Sequence, residues 1–90
     1  MSIRIQIPTP MRQYAEGKTT VEASGGTVKA LLNDLVTTYP GLQPRLFLNG
    51  QVRQFVNLYL NDEDIRYLEN LDTPVKDGDE LAIIPAVAGG

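Results

Sequence analysis

The chain offers few groups that can do chemistry of their own. It contains no Cys and no His. That removes thiol nucleophiles, disulfides, Cys/His zinc sites and imidazole bases together. Its carboxylates include two short runs, Asp62-Glu63-Asp64 and Asp77-Gly78-Asp79. Neither run has the spacing of a calcium loop or a partner elsewhere in the chain, so both read as solvated turns. Gly25-Gly26 precedes a helical pattern, but no Lys-Ser/Thr follows as in a phosphate loop. It reads as a helix-entry turn. No catalytic residue and no metal site is expected. What remains is the end of the chain, Pro85-Ala86-Val87-Ala88-Gly89-Gly90, where a main-chain carboxylate follows two residues without a Cβ. Such residues enter narrow channels and take backbone angles closed to other residues.

The elements that must hold this end in place follow from hydrophobic periodicity. Ile3, Ile5 and Ile7 alternate with Ser2, Arg4 and Gln6, a half-buried strand closed by Pro8 and Pro10. Lys18 to Ala23 alternates again, with Thr19, Val21 and Ala23 on one face. The link between these strands contains Gly17 and has the length of a hairpin loop. Val28, Leu31, Leu32, Leu35, Val36 and Tyr39 then form one apolar stripe, on a helix of about three turns. Thr27 suits its N-cap and Pro40-Gly41 its stop. Burying that stripe contributes on the order of 10 kcal/mol before entropy is subtracted.

Residues 42–54 are less regular, with a turn at Asn49-Gly50. Phe55 to Asn61 reads as a strand with Val56, Leu58 and Leu60 on one face and Phe55, Asn57, Tyr59 and Asn61 on the other. Asp62-Glu63-Asp64 turns into Ile65-Arg66. Tyr67 to Thr73 reads as irregular or 3₁₀ chain, because Thr73-Pro74 discourages a longer helix. After a turn at Lys76-Asp77-Gly78-Asp79 comes a last strand, Leu81 to Ile84, with Leu81 and Ile83 inward and Ala82 and Ile84 outward. The order β-β-α-β-β-β predicts an α+β β-grasp (ubiquitin-like) fold, a mixed curled sheet of four or five strands over one main helix. Residues 1–85 are expected to form the domain and 86–90 a flexible tail.

Composition narrows the function classes. Ninety residues predict one domain with a modest core and little room for a deep active site. The net charge is −3, and the five Arg and three Lys are scattered. Binding to nucleic acid through clustered cations is therefore not expected. Arg4, Arg12, Arg53 and Arg66 read as solvated surface, and nothing marks Lys18, Lys29 or Lys76 as conjugation sites. No apolar run approaches a membrane span, and Met1 to Ile5 does not open like a signal peptide. The cytoplasm is the expected location.

Three stretches, FVNLYLNDEDIR (55–66), KDGDEL (76–81) and PAVAGG (85–90), resemble the prokaryotic ubiquitin-like sulfur carriers. That family includes the small subunit of molybdopterin synthase, the thiamine-pathway carrier and the carrier of a cysteine-forming pathway. The resemblance covers essentially the whole chain, and NDED with PAVAGG most resembles the cysteine-pathway carrier. It implies that the chain is a protein co-substrate and not an enzyme. A ubiquitin-activating-type adenylyltransferase/sulfurtransferase would use MgATP to adenylate the Gly90 carboxylate. A sulfur donor would then displace AMP and leave a thiocarboxylate. In the cysteine branch the thiocarboxylate would attack an aminoacrylate on a pyridoxal-phosphate cysteine synthase. An acyl shift to an amide would follow, and a metal-dependent peptidase would release the amino acid. The alternatives are the molybdopterin synthase small subunit, working with its large subunit, and a ubiquitin-like modifier joined to lysines. The chain itself would bind no cofactor.

In that reading Ala86, Val87, Ala88 and Gly89 thread the partner's active site and Gly90 reacts. Ordering five such residues costs about 1–2 kcal/mol each, so a partner must also grip the folded body. The outward face of the late strands, Phe55, Tyr59, Ala82 and Ile84, is the candidate docking surface.

Overall fold

The computed structural model describes residues 2–85. Five strands, β1 (Ser2–Gln6), β2 (Thr20–Ser24), β5 (Val56–Leu60), β6 (Glu63–Asp64) and β7 (Glu80–Pro85), form one mixed sheet in the order β2-β1-β7-β5-β6. β1 and β2 are antiparallel neighbours. β5 lies antiparallel to β7, and β7 runs parallel to β1. The last strand is therefore the middle one. A right-handed crossover through the helix is the usual way a chain reaches such a parallel pairing. α1 (Val28–Thr38) packs Val28, Leu31, Leu32 and Leu35 into the core, where they meet buried side chains of the sheet: Ile3, Ile5, Val21, Ala23, Leu58, Leu60, Leu81 and Ile83. This is the β-grasp arrangement that the periodicity predicts. With eleven residues, α1 is the longest helix described, and no described helix is long and apolar enough to cross a membrane.

The helix begins as its sequence requires. The Thr27 hydroxyl accepts a hydrogen bond from the Ala30 amide at 3.2 Å, and Pro40 follows the last turn. Its N-terminal end is tied to the chain before β7. The Val28 amide donates to the Thr73 carbonyl and the Val75 amide to the Gly26 carbonyl, each at 3.0 Å. Gly25 has a steric reason to be glycine, because a Cβ there would lie 2.7 Å from the Ala30 Cβ. At Gly26 a Cβ would meet nothing within 4 Å.

Three expectations need correction. The β1–β2 link is more than a loop: Thr9–Ala15 forms a 3₁₀ helix that buries Met11 and Ala15 against the core. Its two prolines conceal a short amphipathic turn. Thr19, placed with Val21 and Ala23, is exposed, because β2 begins one residue later. The run 62–64 is only partly a turn. The turn residues are Asn61 and Asp62, both at positive φ (51° and 69°), where Asn and Asp are tolerated better than most residues. Glu63–Asp64 then pairs back on β5 as the short edge strand β6. The segment 42–54 holds a helical turn, α2 (Gln43–Leu46), and a hairpin of β3 (Phe47–Leu48) and β4 (Gln51–Val52). Asn49 and Gly50 make its two-residue turn at φ 55° and 79°, the mirror-image geometry that tight hairpins prefer.

The adjacent glycines supply a test of this packing. Gly25→Ala should destabilise the domain by about 1–3 kcal/mol, since helix backbone must move. Gly26→Ala should be neutral or gain up to about 1 kcal/mol by restricting the unfolded chain. Urea unfolding of the two variants beside wild type reads the difference directly.

Candidate functional site

The site is the place where the chain leaves the sheet. β7 is held along both edges: Arg4, Ile5 and Gln6 of β1 oppose Glu80, Leu81 and Ala82, and Val56 to Leu60 of β5 oppose Pro85 to Leu81. The strand is locked at its start as well. The Asn61 side chain donates to Asp79 Oδ1 and accepts from the Glu80 amide, both at 3.0 Å. The Lys76 amide donates to Asp79 Oδ2 at 2.8 Å. These bonds hold the Asp79 carboxyl below its ordinary pKa, the Lys76 amide first and Asn61 second. Asn61 was read as a strand residue only; its signal is the Asn-Asp pair that makes the turn.

The predicted reacting residues, Gly90 with Ala86, Val87, Ala88 and Gly89, lie outside the described residues. Of the four candidate docking residues, the structure brings three together. Tyr59 and Ala82 face each other across β5 and β7, and Ile84, 45% exposed, is two residues further along the same face. Towards β1 this face turns polar, with Gln6 donating to Glu80 at 2.7 Å and Arg4 3.8 Å from the same carboxylate. Phe55 does not join the patch. It sits in the turn before β5, closed by the Val56 amide on the Arg53 carbonyl at 3.1 Å. There it lines a groove with Met11, Leu48, Val56 and Pro85. Strict alternation put it on the outer face, but the strand does not extend that far.

The acidic run has a different role from the one expected. Asp64 is only 6% exposed. Its carboxylate accepts from the Arg66 side chain, with Nη2 at 2.6 Å from Oδ2, and from the Arg66 amide at 2.9 Å. Arg66 is therefore an ion-pair partner and not simply solvated surface. The guanidinium first and the backbone amide second hold the Asp64 carboxyl below its ordinary value. Bonds of this kind tie down the end of β6 and leave no idle base. The adjoining cavity, about 230 Å³ between Val52, Asn57, Ile65 and Leu71, is smaller than typical ligand pockets. Among the described residues no group of three His, Cys, Asp or Glu side chains could hold a metal ion.

Comparison with known proteins gives the geometry its context. The ThiS family profile matches residues 5–90. The chain belongs to the ThiS family of ubiquitin-like sulfur carriers. It is 43% identical to the sulfur carrier protein CysO of Mycobacterium tuberculosis over 93 aligned positions, covering all of both chains. Its fold superposes with a TM-score of 0.90 on a chain of the BexX/CysO complex of Amycolatopsis orientalis, at 42% identity over 98% of this chain and 99% of that one. Small archaeal modifier protein 1 of Methanosarcina acetivorans is also similar, with a TM-score of 0.90 and 31% identity over 99% and 96% of the two chains. A ThiS-family sulfur carrier acts as a carrier and not as a catalyst, which suits a surface whose buried carboxylates are committed to structure.

Those commitments predict an acid response. An Asp held below its ordinary value of 3.8 binds fewer protons folded than unfolded, so its stabilisation is present above that value. It is lost as pH falls through the lower, folded value. Wild type should therefore lose stability on acidification from the ordinary carboxylate range downward. Asp64→Asn and Asp79→Asn should be less stable at neutral pH and show a flatter acid slope. Urea midpoints measured across that pH range check both effects.

Proposed function

We propose that this protein carries sulfur as a thiocarboxylate on Gly90, for delivery to cysteine biosynthesis. The full-length likeness to CysO, with the family match running through residue 90, carries the reading. An adenylating enzyme binds the tail, and the Gly90 carboxylate attacks the α-phosphorus of MgATP with loss of pyrophosphate. Sulfide then attacks the acyl carbon and expels AMP, leaving the thiocarboxylate. This converts a poor electrophile first into an activated acyl group and then into a soft sulfur nucleophile. The thiocarboxylate attacks an aminoacrylate presented by a pyridoxal-phosphate enzyme. The acyl group moves from sulfur to nitrogen, and a metal-dependent peptidase hydrolyses the amide to free cysteine and restore Gly90.

The chain's own part is recognition and reach. Ala86 to Gly89 are small enough to follow Gly90 into an enclosed site, and any side chain at 90 crowds the reacting carbon. Tyr59, Ala82 and Ile84 give the partner an apolar hold beside the root of the tail. BexX and CysO form a complex in the Amycolatopsis orientalis structure, which supports docking of this kind. The likeness to small archaeal modifier protein 1 favours a second reading, attachment of Gly90 to lysines of other proteins.

Incubation with an adenylating enzyme proven on another carrier, MgATP and sulfide tests the first reading. The C-terminal peptide should gain about 16 Da, and a thioacid-specific reagent must place the gain there because methionine oxidation adds the same mass. Gly90→Ala should remain folded and lose at least about tenfold in loading rate, a transition-state loss of about 1.4 kcal/mol or more. Absence of sulfur on the wild-type tail would overturn the reading. Gly90-dependent high-mass adducts in cells would favour the modifier.

A further inference from the structure

Phe55, displaced from the outer face, is part of a second surface. It lines an open groove with Met11, Leu48, Val56 and Pro85, and with Arg45 and Arg53. Leu48 and Phe55 are 54% and 51% exposed, two of the few large apolar side chains left in solvent. The two arginines are held in place. Arg45 stacks over the Tyr14 ring, 4.5 Å from its centroid, and donates to the Tyr14 hydroxyl. Arg53 Nε donates to the Pro44 carbonyl at 2.7 Å. Among the described residues neither forms an ion pair, and no carboxylate lines the groove. The local charge runs against that of the whole chain. Residues 35–61 contain Arg45 and Arg53 and no Asp or Glu, in a protein of net charge −3.

The length of the tail says what must come to this surface. Five residues, Ala86 to Gly90, carry the chain from Pro85 to the proposed reacting carboxylate, and a segment of that length spans at most about 17 Å. An enzyme that draws Gly90 into its active site must bring its mouth within that distance of Pro85, which itself lines the groove. We infer that the groove formed by Leu48, Phe55, Pro85, Arg45 and Arg53 docks the mouth of the adenylating enzyme, through an apolar rim segment that carries carboxylates. The apolar pair supplies desolvated contact area and the fixed guanidinium groups select an acidic rim and speed encounter. The groove lies on the helix side of β7's exit and the Tyr59-Ala82-Ile84 patch on the other, so the enzyme grips the tail's root from two sides. This inference rests on the carrier reading above.

The test measures two things with the adenylating enzyme of the same organism: its dissociation constant for the full chain, and sulfur loading of the C-terminal peptide by mass. The proteins are wild type, Arg45→Glu/Arg53→Glu, Leu48→Asp, and Lys29→Glu on the exposed face of α1 as a remote control, each first shown to be folded by its urea transition. The double reversal and Leu48→Asp should each weaken binding at least about tenfold, about 1.4 kcal/mol, and raise KM for the carrier with kcat nearly unchanged. Lys29→Glu should stay within about twofold, and added salt should weaken wild type more than the double reversal. Leu48→Asp keeps the test decisive should the arginine changes disturb Tyr14. Unchanged binding by both groove variants overturns the inference, as does an NMR comparison with a chain lacking 86–90 that shows the tail itself covering the groove. Binding without any loading leaves docking supported and overturns the carrier reading. Neither binding nor loading by wild type overturns both.

Discussion

The last strand lies in the middle of the sheet, and the molecule is organised around that placement. β7 pairs with β1 on one side and β5 on the other, and its Leu81 and Ile83 are buried in the core that α1 closes. A terminal strand at a sheet edge could fray and take its tail with it. Between two neighbours its first half, Glu80 to Ala82, opens only when much of the domain does, and Ile83 to Pro85 carry the strand on along β5 to the exit. The Asn61-Asp79-Glu80 hydrogen bonds complete this by fixing where the strand starts. In the proposed function the fold is a handle that holds this exit point in place.

Each buried carboxylate serves a backbone feature, Asp79 the turn into β7 and Asp64 the end of β6 through Arg66. The sequence has no Cys or His, and the described residues hold no metal-binding cluster. In the function proposed above the reacting group is the Gly90 carboxylate, five residues beyond Pro85, so a partner that reaches it comes against the body beside Pro85. Leu48, Phe55 and Ile84 are three of the four large apolar side chains left exposed among the described residues, the fourth being Tyr67.

Much of this was legible in the residues, for identifiable reasons. The stripe from Val28 to Leu35 and the alternations at Ile3-Ile5 and Leu81-Ile83 have clean periods, and the structure buries those positions. Asn49-Gly50 and Thr27 announce their roles because few residues suit a left-handed turn or an N-cap. The missed features depend on tertiary partners. Met11 and Ala15 look like loop residues until a core lies beneath them. Asp64 looks like a surface acid until Arg66 folds back over it. Phe55 has the correct parity for the outer face, but parity carries meaning only within a strand, and the turn through Arg53 ends β5 at Val56. Arg45 carries no local signal, because its setting over Tyr14 joins residues 31 positions apart. The element order and the family were readable; which surface residues stand together at the root of the tail was not.

In the proposed function sulfur is carried on Gly90. The most direct measurement is made on protein purified from its own cells under conditions that preserve thioacids, with the C-terminal peptide trapped by a thioacid-specific reagent and identified by mass. A trapped population bearing one sulfur at Gly90 is expected, and it should disappear when the adenylating enzyme is absent from those cells. A terminal peptide found only as the plain carboxylate in cells actively assimilating sulfur, with and without that enzyme, would contradict it.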